Sequence, residues 1–189
     1  MTAATKRWSA PLPQVDLQEM LRYAACRAPD EQTLALATQC AAEGEKVLRP
    51  ALCWREVPLA VRENEVDLGF TRFGSRKLAD ALRGCERAVV FGATVGLVLD
   101  RLIARYGRIS PSRGLMMQAL GAERIEALCD AFVTGWRRNM RPGRCGRGSL
   151  PATATCRWRG SGPSLTPCSA IRRSAFISTV AISCHPPSR

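Results

Sequence analysis

The residue types that most often carry catalysis do not form a catalytic pattern in this sequence. His185 is the only histidine, and no carboxylate or thiol stands near it at a spacing typical of catalytic or zinc sites. The nine cysteines include no Cys-x-x-Cys pair. Those that precede Asp130 stand singly inside apolar segments, which favours buried free thiols over disulfides or a metal site. We therefore predict neither a metal site nor a catalytic nucleophile.

One turn has the order of an anion-binding loop. Gly92 to Gly96 follows the apolar run Ala88 to Phe91 and precedes a helical pattern, so its backbone N–H groups could face an anion. The segment lacks the GxGxxG and GxxxxGK[ST] patterns. A tight strand-to-helix turn is therefore the favoured interpretation, with an anion site as the alternative.

The spacing of apolar residues predicts the elements that would position these side chains. Helices are predicted over residues 15–27, 30–49, 76–82, 95–106 and 111–132. Strands are predicted over residues 51–59, 66–70 and 88–91. The first two strands are joined at Arg62 to Glu65. The third is apolar throughout, which is typical of a central strand covered on both faces. Gly107 is expected to end the fourth helix, and Asp16 is suited to cap the first.

Length and hydropathy indicate a single soluble domain. A chain of 189 residues is long enough for one ordinary core. Hydrophobic content is 46% and mean hydropathy is -0.10, and no apolar run reaches the roughly 18 residues of a membrane span. The first residues lack the apolar stretch of a secretory signal. The expected location is the cytoplasm, without a membrane partner.

The positive charge is confined to the C-terminal part of the chain. Residues 1–135 contain 18 Lys and Arg against 16 Asp and Glu, whereas residues 136–189 contain 10 Arg and no acid. From residue 141 onward the sequence has no helical or strand periodicity. We expect a flexible arm over residues 1–13, a domain over 14–135 and a basic, irregular or disordered tail over 136–189.

The domain resembles a known family through a series of motifs. These are VDLQEMLRYAACR, LRPALCWREVPL, SRKLADALRGCERAVVFGATVG, LDRLIARYG and ALGAERIEALCDAF, which together cover about residues 14–132. The block from Ser75 to Gly96 is the most specific. In these motifs the chain is similar to short bacterial proteins related to the reactivation domain of cobalamin-dependent methionine synthase.

The resemblance implies both a fold and a function. The implied fold is α+β, with a twisted and mainly antiparallel sheet packed against helices. The implied function is binding of S-adenosylmethionine in support of the reductive remethylation of inactive cob(II)alamin. The cobalamin would be held by a methionine synthase that lacks its own activation domain, and electrons would come from a flavodoxin-type donor. Reactivation of this kind needs no nucleophile from the protein, because the cofactors carry the chemistry.

The resemblance also implies the ligand-binding residues. Asp16 falls where the family's N-terminal acid approaches the ligand's amino group, a cation that a carboxylate would pair with. Glu126, or Glu123 one turn earlier, would face the ligand from the long helix. The alternatives are helix capping for Asp16 and a solvated helix face for the two glutamates.

Two family motifs are absent from the tail as written. One is a ligand loop of the type Arg-Phe-Ser-Pro-Gly-Tyr-Gly-Asp-Leu-Pro, and the other is a terminal Pro-x-Lys-Ser strand. If the coding DNA is read in a displaced frame that starts at the third base of each codon, the codons of Pro151 to Arg159 could encode Gly-Tyr-Gly-Asp-Leu-Pro-Val-Ala. In the same frame, the codons of Cys184 to Arg189 could encode Leu-Pro-Pro-Thr-Lys-Ser. We hypothesise a frameshift between about Asp130 and Pro142, which would also account for the missing acids and would impair the function.

Two other functional classes remain open at this point. The Arg-rich tail would attract phosphate without sequence preference, so a basic nucleic-acid-binding protein is one alternative. The tail has few aromatic residues and no known nucleic-acid module, which makes a nucleic-acid partner the weaker expectation. A non-catalytic α+β interaction protein is the other alternative.

Overall fold

The structure is a computed structural model that describes residues 4–8, 11–139 and 183–185. The strands are β1 (Lys6–Trp8), β2 (Ala51–Pro58), β3 (Ala60–Val61), β4 (Glu65–Asp67), β5 (Arg72–Gly74), β6 (Arg87–Thr94) and β7 (Ser183–His185). The helices are α1 (Leu17–Tyr23), α2 (Glu31–Val47), α3 (Arg76–Ala81), α4 (Leu97–Ile109) and α5 (Pro111–Asn139). Helices and antiparallel strands in this order confirm the predicted α+β class.

The main sheet has the order β1-β2-β6-β7, and all its pairs are antiparallel. β6 lies inside this sheet, as its apolar sequence predicted, and pairs with β2 along all eight of its residues. The strand is longer than expected because it continues through Gly92 to Thr94. The prediction of a turn over Gly92 to Gly96 was therefore wrong in its first three residues, which are held by the pairing with β2.

A second sheet, β3-β4-β5, packs with α3 around its own small core. The sequence suggested two strands joined at Arg62 to Glu65. That turn instead connects β3 to β4, and its backbone is closed by the Arg62 N–H, which donates to the Glu65 carbonyl at 2.8 Å. β2 does not belong to this hairpin, because both of its edges are already paired with β1 and β6.

The long helix α5 forms the centre of the main core. Its buried residues pack against β6, α1, α2 and α4. The helix runs seven residues beyond the predicted end at Phe132, because Val133 and Trp136 still pack against the core. Gly135 faces Trp8, since a Cβ added there would lie 3.8 Å from the indole ring.

Gly107 does not end α4, contrary to prediction, and the helix continues to Ile109. A side chain at Gly114 of α5 would lie 2.9 Å from the backbone nitrogen of Gly107. The absence of a side chain at Gly114 thus allows α5 to approach the backbone of α4 closely. A Cβ added at Gly107 itself would meet nothing within 4 Å, so the contact does not require glycine at this position.

Both ends of the chain contribute to the main sheet. Lys6–Trp8, within the segment expected to be a flexible arm, pairs with β2. Ser183–His185, within the tail expected to be irregular, pairs with the first three residues of β6, so this short piece departs from the expectation. The remainder of the predicted tail beyond Asn139 lies outside the described residues. Within the described ranges, no helix combines the length and the apolar character needed to cross a membrane.

Candidate functional site

A cleft of about 830 Å³ lies between the segment 11–16, helix α1 and the C-terminal half of α5. Its lining is rich in carboxylates, which come from all three walls. They are Asp16, Glu19, Glu123, Glu126 and Asp130. The cleft therefore brings together both residues that the sequence put forward as ligand-binding, although they are more than a hundred positions apart.

Asp16 caps α1 and also lines the cleft. Its Oδ1 accepts hydrogen bonds from the backbone N–H groups of Gln18 and Glu19, at 2.9 and 3.1 Å. The predicted helix cap is thus confirmed. Capping uses one carboxylate oxygen, so the two interpretations of Asp16 are compatible.

Glu126 lies half-buried on the α5 wall of the cleft. Burial raises the pKa of its carboxyl, the nearby Asp130 raises that pKa further, and Arg22 partly opposes both effects. A cation that enters the cleft would therefore stabilise the ionised form of Glu126.

Glu123 lines the cleft as well, but its charge is already neutralised. Its side chain is hydrogen-bonded to the guanidinium of Arg124, and both residues are almost fully buried, at 4% and 1% exposure. Of the two glutamates that the sequence left open, Glu126 is the one whose charge faces the cleft.

The other side chains of the cleft supply cations and aromatic surface. Arg22 is paired with Glu19 at 2.5 Å and stacks over the ring of Tyr23 at 4.6 Å. Trp8 forms the far edge and packs against Phe132 in an edge-to-face arrangement, with ring centroids 5.6 Å apart. Carboxylates beside aromatic and proline surfaces suit a ligand that has a cationic group and a flat or apolar group.

The turn that follows β6, at Val95 and Gly96, is tightly packed. The Gly96 N–H donates to the hydroxyl of Thr94 at 3.1 Å, so it is not free to bind an anion. Gly96 has φ +104, and an added Cβ would lie 3.1 Å from the backbone nitrogen of Arg49. Only glycine fits both the conformation and the space, which favours the tight-turn interpretation.

Cysteines and metal ligands form no further site in the part of the chain that the structure describes. Cys26, Cys40, Cys53, Cys85 and Cys129 are free thiols, as predicted, and burial raises the pKa of Cys40. No group of three or more His, Cys, Asp or Glu side chains in those ranges could hold a metal ion.

Sequence reasoning missed several residues of the cleft. Asp130 follows Glu126 by four positions, so helical spacing alone places it on the same face. Arg22 and Tyr23 carry no such signal, because their position depends on how α1 packs against α5. The burial of Arg124 could not be foreseen either, since charged residues are almost never fully buried unless paired.

No model of a protein family matches this chain, and no curated protein matches it in sequence. Thirteen solved chains match in structure. One is the crystal structure of the MetH reactivation domain bound to AdoHcy, with a TM-score of 0.45, 14% sequence identity, and coverage of 72% of this chain and 56% of that chain. This chain therefore spans little more than half the length of that neighbour.

Proposed function

We propose that this chain is an accessory domain for cobalamin-dependent methionine synthase, in a stand-alone bacterial form. It would act in the cytoplasm, bind S-adenosylmethionine in the cleft between α1 and α5, and support reductive remethylation of cob(II)alamin. The cobalamin would be held by a methionine synthase without its own activation domain, and a flavodoxin-type protein would supply the electron.

The observation that carries this proposal is the position of Asp16 and Glu126. Both were singled out from family motifs at opposite ends of the domain, and both line one cleft. An ammonium group between them would pair with two carboxylates, and charge-assisted pairs of this kind are among the stronger hydrogen bonds in proteins.

The dimensions and chemistry of the cleft fit the proposed ligand. Its volume of about 830 Å³ lies within the range of small-molecule sites. Carboxylates would hold the cationic amino acid end, and the surfaces of Trp8, Pro11 and Pro13 would cover apolar parts of the ligand. When bound, S-adenosylmethionine supplies an activated methyl group. The residues of this chain would hold and orient it, which requires no acid, base or nucleophile from the protein.

We further propose that the function is impaired in the chain as written, because a frameshift has replaced the family's ligand loop. That loop would fall within residues 140–182, which lie outside the described residues. Sequencing the coding DNA tests this directly. A displaced frame that does not encode Gly-Tyr-Gly-Asp would end the idea, and the intact mass of the natural product would report which frame is translated.

Isothermal titration of S-adenosylmethionine tests the function itself. It should be run on this chain and on a version whose reading frame is restored between about Asp130 and Pro142. Micromolar binding by the restored chain, with weak or no binding by the chain as written, is the expected result. Salt-sensitive DNA binding by the chain as written, without any binding of S-adenosylmethionine by the restored chain, would support the nucleic-acid alternative instead.

A further inference from the structure

The most deeply buried charged residue in the described ranges is Arg124, at 1% exposure. It stands next to Glu123 on α5, and neighbouring residues of a helix point about 100° apart. Both side chains can be buried only if other parts of the chain pack over a wide part of the α5 surface. Segment 11–16 provides this cover, because Arg124 contacts its backbone directly.

Arg124 holds this segment at two carbonyl groups. Its Nη1 donates to the Pro13 carbonyl at 2.6 Å, and its Nη2 donates to the Gln14 carbonyl at 3.0 Å. The same guanidinium is hydrogen-bonded to both oxygens of Glu123. Glu123 Oε1 in turn accepts the backbone N–H of Asp16 at 3.3 Å. The planar, rigid fork of arginine is suited to such a set of acceptors.

The segment has little else to keep it in place. Residues 11–16 belong to no helix or strand, and Pro13, Gln14 and Asp16 are exposed. Only Leu12 and Val15 pack partly against the core. The polar contacts from Arg124 and Glu123 therefore account for much of the order of this segment.

The same segment forms one wall of the cleft. Pro11, Pro13, Gln14 and Asp16 all line it, whereas Arg124 is not among the lining residues. We propose that Arg124 is a positioning residue for this site. It fixes the segment 11–16 as a preformed wall and so sets the place of the Asp16 carboxylate, without touching the ligand. The part of this inference that concerns affinity rests on the proposed function.

The test removes the Glu123–Arg124 ion pair without leaving an unpaired charge buried in the protein. Replacing both partners, in the double variant Glu123→Leu/Arg124→Met, avoids the penalty of an unpaired buried glutamate. The matched control is Glu43→Leu/Arg113→Met, which removes another Glu–Arg pair between α5 and a neighbouring helix, with a 3.2 Å contact, away from the cleft.

Two measurements on the full chain separate positioning from general stability. Amide hydrogen exchange of residues 14–16 should become about tenfold faster in the double variant and stay unchanged in the control. The affinity for S-adenosylmethionine should fall about tenfold in the double variant and stay unchanged in the control. If the chain as written binds too weakly to measure, the affinities are measured on the chain with its reading frame restored. Arg124→Lys, which keeps the charge but loses the fork, should show a smaller change in the same direction.

The outcomes distinguish this inference from the proposed function. Unchanged exchange at residues 14–16 in both Arg124 variants would overturn the positioning role. Faster exchange with unaltered affinity would overturn the part that concerns the ligand. Absence of any binding by the restored wild-type chain would refute the proposed function alone, and the exchange data would still decide whether Arg124 holds the wall.

Discussion

Replacing Glu126 by glutamine tests whether the cleft recognises a cation by charge. Glutamine keeps the size and shape of the side chain but removes the negative charge. Glu126 is half-buried beside Asp130, so solvent screens its charge less than that of a surface carboxylate. A hydrogen bond to a charged group contributes about 1.5–3 kcal/mol. Glu126→Gln should therefore weaken binding of S-adenosylmethionine by roughly ten- to a hundredfold.

The same substitution should stabilise the free protein at neutral pH. Burial and then Asp130 raise the pKa of Glu126 above its ordinary value of 4.5. Such a group favours the folded state below the unfolded-state pKa, and this contribution is lost as the pH rises through the higher folded-state pKa. The Tm of Glu126→Gln should exceed that of the wild type at pH 7, and the difference should vanish below about pH 4.5.

Glu43→Gln is the matched control. The hydroxyl of Tyr106 and then the guanidinium of Arg113 lower the pKa of Glu43, so removing its charge should destabilise the protein at pH 7. Glu43 does not line the cleft, and the affinity should stay unchanged. Titration calorimetry and thermal melts between pH 4 and pH 8 provide both readouts. Wild-type affinity in Glu126→Gln, or a Tm below that of the wild type at pH 7, would refute the reasoning.

Three further predictions concern the scaffold around the cleft. In Gly114→Ala the new Cβ would lie 2.9 Å from the backbone of Gly107, so urea unfolding should show a loss of about 1–3 kcal/mol. Gly107→Ala meets nothing within 4 Å and should gain about 0.5–1 kcal/mol; equal effects of the two would contradict the close approach of α4 and α5. Tyr106→Phe removes the 2.6 Å hydrogen bond to Glu43, so it should lower the Tm above pH 4.5. It should also reduce the loss of stability that occurs as the pH falls below that value, and an unchanged dependence of Tm on pH would count against this hydrogen bond. Phe132 is 1% exposed and contacts three aromatic rings, so Phe132→Ala should cost about 3–5 kcal/mol in the same unfolding assay, and a loss below 1 kcal/mol would contradict its central place in the core.

Much of the helical part of the fold could be predicted from the sequence, because its signals are local. Asp16 caps α1 as expected, and α2 and α3 begin close to their predicted starts, where the side chains of Asp30 and Ser75 accept a backbone N–H of the first turn. The apolar run Ala88 to Phe91, which forms part of β6, was correctly expected in an inner strand of the sheet. Capping and periodicity depend only on neighbours within a few residues, which is why they can be read directly.

The elements that were misjudged depend on contacts between distant parts of the chain. Gly107 lies inside α4, whose backbone is in close contact with α5 at Gly114, and the end of α5 persists because Trp136 reaches the core. The residues of the cleft show the same difference between local signals and contacts made by distant parts of the chain. Family motifs pointed to Asp16 and Glu126, but the exclusion of Glu123 depends on its burial with Arg124, which no local pattern reveals.

The most direct test of the ligand site is amide chemical-shift mapping of the labelled chain, with its frame restored, during titration with S-adenosylmethionine. The account predicts saturable shifts concentrated around Asp16, Glu126 and Asp130, the carboxylates of the cleft. No shifts at saturating ligand, or shifts concentrated around Arg62, Arg76 and Arg83 in the separate pocket beside α3, would contradict it.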